Sequence, residues 1–324
     1  MNSNNGKNNY NNEILLSVCM TTYNHEDYIS QAIESVLMQL TNFRYELVIG
    51  EDCSTDNTRK ICIEYKNKYP EKIKLLLREQ NLGMFENGIL TMKDCKGKYI
   101  ATLEGDDYWT DPNKLQKQVD FLEKNQDFSV CFHKVRILQQ GIFRKDPYTK
   151  VPFKISTVLD LAKKGNYIHT CSSVFRNKHI YHDLPKNIQP LDYAIHLVNT
   201  KDGEKIIYIK KVMAVYRIHP GGVWRGADKN TLMKKELSFY VALRDCLPDN
   251  IVSLLLYRFI LIFTNHYLSL TNPSEKDEFL EFVISSLKVL DKKLLLSSVV
   301  FKVELESDRH ILYLIKKRLF KLLF

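Results

Sequence analysis

From residue 14 onward, short continuous apolar runs alternate with stretches whose apolar residues recur at helical spacing. Leu15 to Met20 reads as a buried strand, and Asn24 offers an N-cap for a helix carrying Tyr28, Ile29, Ala32, Ile33, Val36 and Leu37. Tyr45 to Ile49 is a second strand, after which Ser54-Thr55-Asp56 opens a helix with Ile61, Cys62 and Tyr65. Ile73 to Leu77 is a third strand, followed by Asn81-Leu82-Gly83 and a helix through Phe85, Ile89 and Met92. The fourth strand, Tyr99 to Leu103, runs directly into Glu104-Gly105-Asp106-Asp107. Leu115, Val119 and Leu122 mark one more helix, and Phe128 to His133 one more strand.

This rhythm predicts an α/β fold, a mainly parallel sheet with helices on both faces. Ligands of such sheets bind at the carboxyl ends of strands. The polar loops 21–27, 51–56 and 104–111 each follow a strand and are expected to line one crevice. The section 135–205 is irregular and punctuated by Pro147, Pro152, Pro185 and Pro190, with a strand pair expected at Ile206–Ile209 and Val212–Ile218. From Asp228 the pattern is helical only, which predicts a C-terminal helical region at 228–324. No internal repeat is present.

Composition narrows the class. The 324 residues are 44% hydrophobic and 26% charged, ordinary for a globular chain that buries a core. A net charge of +9 suits anionic partners such as nucleotide phosphates or an acidic membrane, although it also serves solubility. The cysteines are odd in number, dispersed and without a CxxC pair, so a zinc site or disulfide framework is not expected and a reducing, cytoplasmic setting is. Residues 1–13, rich in Asn, read as a disordered tail. Ile251 to Leu270 is the most apolar later stretch, but Arg258, Asn265 and His266 mark it as a buried helix rather than a membrane span.

Three carboxylates within residues 104–107 repel one another unless a cation or solvent relieves them. At a strand's carboxyl end they can hold Mn²⁺ or Mg²⁺, hard ions that prefer oxygen ligands. A solvated turn is the competing reading, since Asp and Gly are common there.

The order of several motifs resembles glycosyltransferase family 2, whose members carry the GT-A fold. The matching stretches are SVCMTTYNHEDYISQAIESVLMQ at 17–39, ELVIGEDCSTDNT at 46–58, NLG at 81–83 and KYIATLEGDDYWTDPNKLQKQVDFLE at 98–123. It resumes in PLDYAIHLV at 190–198 and YRIHPGGVW at 216–224. The resemblance implies a Rossmann-like GT-A domain over residues 14–227 and an inverting, metal-dependent enzyme that transfers a sugar from a nucleotide donor. Thr22, Tyr23, Glu51, Asp52, Asn81, Gly83, Glu104 and Asp106 are implied to meet the nucleotide-sugar, a UDP-sugar being favoured. Asp52 and Ser54 can also simply organise their turn. Asp106, Asp107 and His219 are implied metal ligands, and Asp192 the catalytic base. Three positions depart from the family's pattern: Cys53 stands where glycine is usual, Glu104 where aspartate is commoner, and Leu191 where Asp192 usually has an acidic neighbour.

His169, Thr170, Ser172 and Ser173, together with Arg217 and Trp224, are candidates for acceptor or phosphate contact. The expected acceptor is a glycan or lipid-linked hydroxyl, as in surface polysaccharide synthesis, and no nucleic acid is expected. The basic and apolar end, Ile315 to Phe324, suits peripheral contact with an anionic membrane on its inner face or an ordinary packed helix. Two other classes compete. A nonenzymatic nucleotide-sugar or membrane-binding module would keep Asp52 but not need Asp192. A sugar-nucleotide pyrophosphorylase-like enzyme would want a Gly-rich, Arg-containing loop where Thr21-Thr22-Tyr23-Asn24 stands.

Overall fold

A computed structural model describes residues 13–144, 146, 151, 153–182, 184–221 and 228–287. The expected tail at 1–12, Trp224 and the basic end at 315–324 lie outside the described residues. The chain forms two compact units, one drawn from 1–155, 168–182 and 205–219, the other from 156–167, 183–204 and 220–324.

The elements of the first unit follow the predicted alternation. They are β1 (Ile14–Thr22), α1 (Ile29–Leu37), β2 (Arg44–Glu51), α2 (Thr58–Lys68), β3 (Ile73–Leu77), α3 (Gly83–Lys93) and β4 (Tyr99–Glu104). Next come β5 (Tyr108–Trp109), α4 (Lys114–Lys124), β6 (Phe128–Gln139), β7 (Ile142–Arg144) and β8 (Ile155–Ser156). After α5 (Val158–Lys164) in the second unit, the sheet is completed by β9 (Val174–Arg176) and β10 (Lys205–Ile218). Strand order is β3-β2-β1-β4-β9-β6-β10-β5, with β7 on β6. The β1–β2, β1–β4, β2–β3 and β6–β10 pairings are parallel, as predicted. Short β9 runs antiparallel between β4 and β6. Leu16, Val18, Met20, Leu47, Ile49, Ala101 and Leu103 are almost wholly buried, and Ile29, Ile33 and Val36 of α1 join them in the core. Burial on both sheet faces explains why these strands read as apolar runs without alternation.

Three expectations need correction. Asn24 does not cap α1: it has a φ of 53°, and its Oδ1 accepts the Thr55 N–H at 2.8 Å, tying the first loop to the second. The expected pair at 206–218 is one strand, β10, which keeps its parallel partner β6 across register shifts between Ile209 and Ala214. Finally, the section read as irregular contains α5 and α6 (Leu191–Asn199). Every residue of α6 except Asp192 is buried, so no polar face revealed it.

The second unit packs α5 and α6 with α7 (Lys229–Ala242), α8 (Asp249–Ser269) and α9 (Pro273–Leu287). Arg258 on α8 pairs with Glu236, bonds the Tyr240 hydroxyl at 2.6 Å, and would meet a Cβ at Gly165, whose φ is 83°. His266 likewise bonds Asn230, so polar groups that interrupt the apolar α8 pattern have partners inside the helix packing. Among the described residues no helix is long and apolar enough to cross a membrane.

Lys114 opens α4 with its side chain fully buried and its Nζ 4.0 Å from the centre of the Trp109 ring. Its Nζ has no hydrogen-bond partner among the described residues, and burial pulls its pKa from 10.5 to about 7. The unfolded chain therefore holds this proton more tightly, so stability rises as pH climbs from 7 toward 10 and is lowest below 7. The aromatic face offsets part of the penalty, by about 2 kcal/mol for a desolvated cation. Lys114→Met is expected to flatten that rise and to raise the melting temperature at pH 6. Thermal unfolding at pH 6 and pH 9 measures it; an unchanged pH slope would clear Lys114 as its source.

A candidate metal and nucleotide-sugar site at the carboxyl rim

Register places the three polar loops side by side. Thr21 pairs with Gly50 in β2 and Glu104 in β4, and Thr22 with Glu51, so the loops after β1, β2 and β4 leave the sheet at one level. Backbone bonds then lace them: Asp52 N–H to Thr22 O at 3.0 Å and Gly105 N–H to Thr21 O at 2.9 Å. Gly105 makes this closeness possible. A Cβ there would lie 2.5 Å from Thr22 Oγ1 and 2.9 Å from His25 Nδ1.

The rim brings His25, Asp106 and His219 together, one ligand atom of each lying within 4.8 Å of the others. His219 Nε2 is 2.9 Å from Asp106 Oδ2, and His25 Nε2 is 4.0 Å from the same oxygen. His25 stands 3.3 Å from Thr22 Oγ1 through Nδ1, and Tyr28 packs on His219 at 4.9 Å between ring centres. Burial disfavours the charge of Asp106, but the His219 bond and the charge of His25 outweigh it and hold the carboxyl below its usual range. Burial also lowers the pKa of His25, opposed by Asp106. The His25 imidazole, biased toward its neutral form by burial, and the His219 imidazole beside an ionised carboxylate are a ready donor set for a divalent cation.

Asp107, expected to be a metal ligand with Asp106, is not part of this group. It is fully buried, and its Oδ1 accepts the Arg217 N–H at 2.7 Å. Its Oδ2 has no hydrogen-bond partner among the described residues, and burial followed by the Asp106 charge pushes its pKa well up. Asp107 thus fastens the end of β10 under the loop that presents Asp106. Sequence reasoning passed over His25. The available signal was a histidine in the loop after the strand that neighbours β4.

The nucleotide-side residues divide by geometry. Tyr23 is exposed on the rim, while Thr22 is buried against His25. Both Glu51 oxygens are engaged within the loop, one by the Ser54 N–H at 2.7 Å and one by Arg59. Asp52 accepts the N–H groups of Leu82 at 2.8 Å and Gly83 at 2.9 Å, so it anchors the start of α3, and Asn81 Oδ1 also accepts the Gly83 N–H. Cys53 has a φ of 59°, the left-handed backbone for which glycine is the easy choice. Its thiol reaches Glu79 O. Glu104 is half-buried at the end of β4.

Arg217 is clamped: its guanidinium bonds Asp106 O and Gln31 Oε1 and lies over the rings of Tyr108 at 4.4 Å and Tyr28 at 5.1 Å. His169 Nε2 bonds Asp146 Oδ2 at 2.8 Å, and its ring lies 4.9 Å from Tyr216. Thr170 O accepts the Thr102 hydroxyl, and Ser172 and Ser173 are wholly buried, Ser173 against Thr102 at 2.7 Å. These two serines support the rim from below. Asp192 belongs to the second unit, on the first turn of α6, where the Asn166 amide donates to its Oδ2 at 2.9 Å. All seven cysteines are free, five of them buried.

A mostly parallel sheet flanked by helices, with carboxylates and imidazoles gathered where β1, β4 and β10 end, is the GT-A arrangement of glycosyltransferases. The family model for glycosyl transferase family 2 matches residues 17–181, and the chain belongs to that family. An uncharacterized protein of Mycobacterium tuberculosis is 36% identical over 212 residues, 65% of this chain and 61% of its own length. The chain thus spans about three-fifths of that relative. The Bacillus subtilis glycosyltransferase TuaG, named for teichuronic acid biosynthesis, is 30% identical over 230 residues, 69% of this chain and 88% of TuaG. In fold, S. aureus TarS 1–349 in complex with UDP-GlcNAc matches with a TM-score of 0.65 at 18% identity, over 87% of this chain and 83% of TarS.

Proposed function

We propose that this chain is an inverting, metal-dependent glycosyltransferase that moves a sugar from a UDP-sugar to a hydroxyl of a glycan or lipid-linked acceptor. The observation that carries the reading is the grouping of His25, Asp106 and His219 at the rim where the nucleotide loops meet. Imidazole and carboxylate suit Mn²⁺ better than Mg²⁺, which prefers a nearly all-oxygen shell. The three residues fit such an ion, and when bound it would offset the charge of the departing nucleoside diphosphate.

The remaining roles belong to side chains. Thr22, Tyr23, Asp52, Asn81, Gly83 and Glu104 form the donor's rim, with Glu104 reaching for ribose hydroxyls as an acceptor. Glu51 keeps the second loop in shape through Arg59. Arg217, His169 and Thr170 stand toward phosphate or acceptor. The order of the motifs assigns the base to Asp192, which takes the proton of the acceptor hydroxyl as that oxygen attacks the anomeric carbon. Asn166 holds one Asp192 oxygen and so orients the carboxylate. The UDP preference draws support from TarS, whose complex holds UDP-GlcNAc.

The test is release of UDP from a panel of UDP-sugars with Mn²⁺ present. Turnover is expected to vanish with excess chelator and return with Mn²⁺. Full activity under chelator would overturn the metal reading, and donor binding without any UDP release would favour the binding-module alternative.

A further inference from the structure

The turn between β6 and β7 carries side chains that neither the core nor the site uses. β6 runs parallel to β10 with Leu138 opposite Arg217 and Gln139 opposite Ile218, so the hairpin emerges beside the strand end that leads to His219. Gln140 and Gly141 have φ of 52° and 74°, the backbone of a tight two-residue turn. β7 then returns with Ile142 opposite Gln139 and Phe143 opposite Leu138. Ile142 is 59% exposed and Phe143 51%. Successive strand residues point to opposite faces, so both faces of this ribbon are apolar and open to solvent.

The flanking charge is of one sign. Lys134, Arg136 and Arg144 are exposed, the Arg136 guanidinium lies 5.1 Å from the centre of the Phe143 ring, and no carboxylate occurs from 134 to 144. Short edge strands with cations resist sheet-to-sheet pairing, which accounts for the arginines but not for an apolar tip. A protein partner is a poor fit. Two half-exposed side chains offer on the order of 200 Å², against roughly 800 Å² per partner in a stable protein interface.

We propose that this hairpin seats on an anionic lipid bilayer, Ile142 and Phe143 entering the boundary between headgroups and acyl chains while Arg136 and Arg144 meet anionic headgroups. Aromatic and aliphatic tips ringed by arginine suit that boundary, because the apolar body is buried and the charge stays wet. Seated so, the rim bearing Asp106 and His219 faces the surface that displays a lipid-borne acceptor. The inference deepens the lipid-linked reading above, yet vesicle binding requires no acceptor, so the two fail separately.

The experiment sediments the full chain with vesicles of phosphatidylcholine mixed with phosphatidylglycerol, and with phosphatidylcholine alone. It is repeated in a full chain whose tail charges are removed (Lys316→Gln, Lys317→Gln, Arg318→Gln, Lys321→Gln), so that the C-terminus does not mask the hairpin. Ile142→Ser with Phe143→Ser is expected to weaken anionic-vesicle binding about tenfold or more. Arg136→Gln with Arg144→Gln is expected to weaken it about tenfold and to reduce the preference for phosphatidylglycerol. Both pairs, being exposed, are expected to keep the melting temperature and UDP release in solution. Equal vesicle binding by the Ile142/Phe143 variant in both backgrounds overturns the proposal. So does equal binding to the two vesicle types, or a change in the variant's sedimentation without vesicles, which would mark a self-association surface instead.

Discussion

Asp106→Asn is expected to lower sugar transfer on the order of a hundredfold to a thousandfold, the range seen when a preorganised electrostatic partner of a transition state is removed. Asp106 is the carboxylate that both His219 and His25 approach, and asparagine keeps its shape while removing its charge. Affinity for Mn²⁺, read by calorimetry, is expected to fall at least tenfold with it. Asp107→Asn is the informative contrast. Its oxygen bonds a backbone N–H and its surroundings favour the uncharged acid, so the amide is expected to leave Mn²⁺ affinity within about twofold. Equal loss of Mn²⁺ binding in the two variants would return Asp107 to the ligand set beside Asp106. His25→Ala tests the residue that the acidic motif did not announce, and unchanged Mn²⁺ affinity would exclude it as a ligand.

The second large effect is expected at Asp192. Loss of a general base slows transfer by about 10²–10⁴-fold. Asp192→Asn is therefore expected to abolish most transfer while the thermal shift given by UDP-sugar and Mn²⁺ persists, because donor binding stabilises the fold without the base. Asn166→Ala removes the bond from the Asn166 amide to the carboxylate while keeping the base itself, and a milder fall of about tenfold is expected. Activity of Asp192→Asn close to that of the unchanged chain would move the base elsewhere.

Much of the fold could be read from the chain. β1, β2 and β4 announced themselves because each is buried on both faces, the half-buried edge strand β3 by its short apolar run, and α1 to α3 because each is buried on one face, which imprints a helical-period pattern. α6 escaped because it is buried almost all round, and β9 because three residues carry no period. The β10 bulges masqueraded as a gap between two strands, since a register shift alters the apolar spacing without ending the ladder. Local turn chemistry was also misleading at Asn24, whose side chain bonds across to the second loop rather than along its own helix.

By itself the sequence determined the class of sheet, the ends of the strands where chemistry gathers, and the family to which those motifs belong. It also located the acidic segment 104–107 and His219, because residue types at strand ends are written in order along the chain. Only the tertiary structure decided which atoms share a site. It separated Asp106, which faces the two histidines, from its neighbour Asp107, which is buried beneath Arg217, and it brought in His25 from a loop far away in sequence. The physical reason is that adjacent residues on a turn point in different directions, while parallel strands in register bring distant loops within bonding reach.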